Sequence, residues 1–121
     1  MCGSRSLGLD DSTGWDGSAA EKRMRTKATG SDDKVNWSEY GKGFVYCDPS
    51  KKEEFGGYKL PFADVVGGTL KAVWGGVHSA FAACIGARTN INMSDQDKVR
   101  CISFLKMYYK RFNKPIPGEN D

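Results

Sequence analysis

The sequence predicts an α+β fold: a small antiparallel β hairpin or sheet packed against about three helices, with an extended N-terminal arm. Three observations carry that prediction. Capped, amphipathic segments begin near Ser18 and Ser94, a Gly67-Gly68 pair separates two β-prone runs, and a small-residue apolar segment occupies Gly75 to Ala87.

Its 121 residues make one domain, taken as 15–114, with a flexible arm over 1–14 and a tail over 115–121. A second catalytic domain is excluded by size. With 39% hydrophobic and 12% aromatic residues the chain has material for a core, which rules out wholesale disorder. Its 15 glycines exceed the usual share of roughly 7% and predict tight turns and close backbone approaches. The net charge is 18 basic minus 15 acidic residues, or +3, too small to name a partner by itself.

Residues 1–14 hold only Leu7 and Leu9 as sizeable apolar side chains, too few to offset backbone ordering, so an arm is expected. Ser18-Ala19-Ala20-Glu21 has the form of a capping box, opening a basic helix that runs to about Thr29 with Gly30 as a left-handed stop. Trp15, just before the cap, is placed to staple the first turn. One helical turn around Trp37 and Tyr40, capped by Asp33 or Asn36, precedes a strand over Gly43 to Cys47. Asp48-Pro49-Ser50 is a turn, and Phe55 to Phe62 is an extended aromatic loop whose Pro61 bars a central ladder position. Asp64-Val65-Val66 and Thr69 to Val73 form a hairpin, because Gly67-Gly68 tolerates the positive φ of a two-residue turn. The final helix starts at Ser94, carries the stripe Cys101, Leu105, Tyr108 and Phe112 widened by Val99, Ile102 and Tyr109, and ends before Pro115 and Pro117.

No catalytic or metal constellation emerges. His78 is the only histidine, beside Ser79 but without a nucleophile elbow, and is expected to be structural. The acidic pairs Asp32-Asp33, Glu53-Glu54 and Asp95 with Asp97 fall in caps and turns, and the paired glycines lack a phosphate-loop lysine. Cys2, Cys47, Cys84 and Cys101 have no zinc-ligand spacing and are expected to be buried thiols. The expectation is therefore a protein with no enzymatic activity and no cofactor. The opening MCGSRSLGLDD lacks a signal-peptide core and no apolar run reaches 18 residues, so a cytoplasmic or particle-bound protein without membrane contact is expected. A stronger lead is the acid-free basic run of the last helix, with Lys106, Lys110 and Arg111, which together with the basic first helix suits phosphate or an acidic protein surface.

The order of several motifs adds a further lead. WDGSAA with a basic helix, then VNWSEYGKGFVYCD, then FGGYKLPFADVVGGTLKAVWGGVHSAFAACIGAR and a final helix with paired tyrosines together resemble a module of tailed bacteriophages found with prohead proteases of the head-assembly set. The resemblance covers about residues 15 to 112, and the protease domain that precedes the module in that family has no counterpart here, so its catalytic residues do not carry over. It implies a virion structural protein: a minor head, cement or decoration protein on the capsid, present in host cytoplasm during assembly. The implied partners are the major capsid protein or other head proteins, with self-association as a further contact. Phe55, Tyr58, Leu60, Pro61 and Phe62 would then anchor the interface, unless they fold into the chain's own core. The alternatives are a nucleic-acid-binding protein and a procapsid assembly factor.

Overall fold

The computed structural model describes residues 2–85 and 93–117. Among them are a short strand β1 (Gly8–Asp10), helices α1 (Gly17–Ala28) and α2 (Trp37–Gly41), and strand β2 (Phe44–Cys47). Strands β3 (Tyr58–Pro61), β4 (Ala63–Val66) and β5 (Thr69–Val73) follow, then helices α3 (Trp74–Ile85) and α4 (Asp95–Arg111). The class is α+β, with one sheet ordered β1-β5-β4 and a second made of β2 and β3.

The hairpin forms where the glycine pair predicts it. Gly67 and Gly68 take φ of 59° and 82°, and the register sets Val66 opposite Thr69 and Ala63 opposite Ala72. Strand β3 pairs antiparallel with β2, and Pro61 is accommodated because this sheet has only two strands. Phe62 joins the two sheets: its N–H donates to the Gly43 carbonyl and its carbonyl accepts from Val73 N–H, each at 3.0 Å. Leu60, just before this crossing, takes φ of 61°, a left-handed conformation that costs an L-residue about 1 kcal/mol.

Two local expectations are corrected. The cap of α1 is Asp16, whose Oδ1 accepts from Ala19 N–H at 3.2 Å, not Ser18. Trp15, just before that cap, lies within van der Waals range of a Cβ at Gly17, the first residue of α1, and its ring also seats on Gly75 and Gly76 of α3, where a Cβ on Gly76 would sit 2.8 Å from the indole. Gly30 adopts no positive φ, and the helix ends instead in extended Thr29, which bridges to Val35.

Helix α4 begins at Ser94 as predicted, with Ser94 Oγ accepting from Asp97 N–H at 3.1 Å. It stops before the prolines. Asn113 turns left-handed at φ 60°, and the bonds Asn113 N–H to Lys110 O and Lys114 N–H to Tyr109 O close a Schellman motif. Cys101, Leu105, Tyr108 and Phe112 face the core with Phe104 and Tyr109, whereas Val99 is 65% exposed and lies off the stripe. Ile116 is also buried, so the domain extends past the expected boundary at 114. Gly86 and Ala87, at the expected end of α3, and tail residues 118–121 lie outside the described residues.

The largest departure is the arm. Strand β1 pairs in parallel with β5, Gly8 opposite Lys71, so the sheet is mixed. Tyr108 Oη accepts from Leu7 N–H at 3.2 Å and donates to the Ser4 carbonyl, while Ser4 N–H bonds Lys42 O at 3.0 Å. Gly3 lies against the Phe104 ring and the Phe44 carbonyl with no room for a Cβ. Backbone hydrogen bonds and close approach hold the segment, neither of which a count of apolar side chains detects.

Candidate functional site

The five expected anchors do not form a surface. Tyr58, Leu60 and Phe62 are buried in the chain's own core, and Phe55 and Pro61 are half-buried, which corrects their assignment as partner-binding residues. Strand alternation is the cause: Tyr58 and Leu60 point inward on β3 while Lys59 points out. Tyr58 stacks on Trp37 at 5.8 Å and meets Tyr40 edge-on at 5.0 Å, and its hydroxyl donates to Lys52 O at 2.6 Å. Phe62 packs edge-on against Phe104 at 5.2 Å, and Phe55 is covered by the Arg25 guanidinium at 4.4 Å.

An open feature lies between α1 and the β4–β5 hairpin. A cavity of about 410 Å³ is lined by Lys22, Arg23, Thr26, Lys27, Val65 and Gly68. Positions 22, 23, 26 and 27 share one helical face by their spacing, and the Gly67-Gly68 turn lies across from them. Asp64 positions the wall. It is 2% exposed, and its carboxylate accepts from Arg23 Nε at 2.8 Å and Nη2 at 2.7 Å, with Val65 N–H adding a bond at 2.7 Å. These bonds and the carboxylate charge raise the guanidinium's pKa, fixing Arg23 as a cation at the groove edge. Lys27 Nζ donates to Gly68 O at 3.4 Å. Beyond Gly68 a smaller cavity of about 260 Å³ is bounded by Leu7, Lys27, Lys42 and Glu39, the last two paired at 3.0 Å.

The other basic helix is arranged differently. Lys110 and Arg111 are exposed and Lys106 is half-buried. Arg111 is committed to the N-terminal segment, donating to Arg5 O at 3.1 Å and lying over the Tyr108 ring at 5.1 Å. Helix α1 packs on β4, β3 and α2, and α4 packs on α3 and β2, so the two basic helices cover different elements.

Of the remaining candidates, His78 is exposed beside the Trp74 ring at 5.8 Å, and Asp97 pairs with Arg100 at 3.8 Å in the first turn of α4. Among the described residues no three His, Cys, Asp or Glu side chains gather as a metal-ligand set, and no helix is long and apolar enough to cross a membrane. Cys84 and Cys101 are buried as expected, but Cys2 and Cys47 pack against the core only half-buried. The sequence marked Lys22, Arg23 and Lys27 as part of a basic helix. It had no signal for Asp64, Val65 and Gly68 as their counterparts, because they lie about forty residues away along the chain. No protein family, curated protein or solved structure matches this chain.

Proposed function

We propose that this chain is a non-catalytic structural protein of tailed-bacteriophage heads, a minor head, cement or decoration protein that docks on the capsid shell. The observation that carries this reading is the groove between α1 and the hairpin. Its lining combines three cations, one hydroxyl and apolar carbon from Val65, a set suited to holding carboxylates and not to moving protons. Arg23 is preorganised by a buried carboxylate, so little side-chain entropy is lost when it engages an anion. The occupant proposed is an acidic segment of the major capsid protein or another head protein. The motif order WDGSAA to YKLPF and its resemblance to a head-assembly module support that partner class.

The test is cosedimentation of the purified chain with capsid shells, together with mass spectrometry of procapsids and mature heads. The expected result is many copies per mature head and binding that falls about tenfold or more in a Lys22→Glu/Lys27→Glu variant. Absence from both particles, or full binding by that variant, overturns the reading. Presence in procapsids with loss from mature heads would instead indicate an assembly factor.

A second reading is favoured by the exposed end of α4. Lys106, Lys110 and Arg111, with the basic residues of α1, would contact nucleic-acid phosphates. Salt-sensitive binding to duplex or single-stranded DNA, abolished by replacing those three residues, is its signature. Undetectable binding at low salt, or binding unchanged in the triple variant, eliminates it.

A further inference from the structure

The four cysteines fold into two thiol pairs. Cys84 of α3 and Cys101 of α4 hydrogen-bond to one another where the two helices pack, both buried. Cys2 and Cys47 make the second pair. The N-terminal segment brings Cys2 to the end of β2, where Cys2 and Cys47 both line a cavity of about 390 Å³ together with Trp37, Ser38 and Tyr58. Cys2 is held in place by its bond to the Phe44 carbonyl at 3.7 Å and by packing against Gly41, where an added Cβ would lie 3.3 Å from Cys2 Cβ.

We propose that Cys2 and Cys47 form an accessible dithiol that closes reversibly to a disulfide and tethers the N-terminal segment to β2. The co-reactant is a small-molecule disulfide, approaching from the cavity that both cysteines line. The Cys47 thiolate attacks one of its sulfurs, forming a mixed disulfide and expelling one small thiolate, which takes a proton from water. Cys2 then gives its proton to solvent and attacks the Cys47 sulfur, expelling the second small thiol. Two protein thiols are oxidised and one small disulfide is reduced to two thiols. Burial, and then the neighbouring Cys47 side chain, pushes the Cys2 thiol well above its ordinary pKa of 9.0. Closure is therefore the slow step at neutral pH and accelerates as pH rises. Cys84 and Cys101 are both buried and are expected to stay reduced in the folded protein. The tether would hold β1 against β5 and the Tyr108 contacts with Ser4 and Leu7, a constraint the reduced protein lacks.

The whole chain is incubated with oxidised glutathione, then denatured, alkylated and mapped by peptide mass spectrometry. The expected product joins the Cys2 and Cys47 peptides, with Cys84 and Cys101 both alkylated. Closure should be about a hundredfold faster near pH 9 than near pH 7, because the thiolate fraction of a group titrating well above that range rises about tenfold per pH unit, and the oxidised chain should melt about 10 °C higher because the cross-link closes a long loop of the unfolded state. In Cys2→Ser, Cys47 should retain a glutathione adduct with no gain in melting temperature. The proposal is overturned if the wild-type chain keeps both Cys2 and Cys47 alkylatable, or if the cross-link forms between Cys84 and Cys101 instead.

Discussion

The aromatic cluster and the α1–hairpin groove are both built from residue types that dominate protein interfaces. In the cluster, Trp37, Tyr40, Phe44, Phe55 and Tyr58 surround one another with centroid distances from 4.8 to 6.0 Å. In the groove, Lys22, Arg23 and Lys27 frame a cavity, with Arg23 held at its edge by the buried Asp64 carboxylate. The cluster is closed because β3 pairs with β2 and turns its large residues inward; the groove is open because the glycine turn leaves no side chains over α1. Residue type marks what an interface needs, and strand pairing decides whether it is exposed.

Four changes test that contrast, taken from the largest expected effect. Phe62→Ala strikes the closed region where the two sheets meet, and should cost about 4 kcal/mol in urea unfolding; a loss below about 1 kcal/mol would mean that the ring is not core. Arg23→Ala acts at the edge of the groove. It leaves Asp64, 2% exposed, without its counter-ion and should lower the urea midpoint, by less than Phe62→Ala because Arg23 itself is half exposed. Adding Asp64→Ala should recover part of that loss, and strictly additive losses would deny the coupling. Tyr109→Phe should stabilise by about 1 kcal/mol, since the Tyr109 hydroxyl is buried without a hydrogen-bond partner among the described residues. A calorimetric decrease would show that the hydroxyl is satisfied after all.

The smallest effect lies at the exposed loop after β1. Asp10 accepts from Ser12 and Thr13 backbone and hydroxyl groups, chiefly the Ser12 N–H, which lowers its pKa from 3.8 to about 2. Because the folded value lies below the unfolded one, this contribution is present above 3.8 and disappears as pH falls toward about 2. The stability difference between wild type and Asp10→Asn should therefore narrow over that interval in acid-titrated urea melts. A difference independent of pH would show that the carboxylate charge contributes nothing.

Local chemistry was legible where it is complete within a few residues. The Gly67-Gly68 turn, the Ser94 cap, the Asn36-capped turn of α2 and the strand ending at Cys47 each follow from contiguous residues. At the start of α1 the Ser18 expectation is wrong: Asp16, two residues earlier, accepts from Ala19 N–H and is the cap. The end of α4 was assigned to the prolines, although Asn113 is one of the few non-glycine residues that enter the left-handed region cheaply. The candidate site was half legible: the cations of α1 were visible, but the opposing wall was not.

By itself, then, the sequence determined the α+β class, the capped helices and the hairpin. Those depend on backbone preferences and side-chain periodicity among near neighbours, which are present before the chain folds. Tertiary structure alone decided that the aromatic run is core, that Arg23 meets Asp64 across 41 residues, that Cys2 meets Cys47, and that the arm adds a parallel strand. Each is a contact between distant segments, set by which faces the sheets turn inward and how closely the backbones approach.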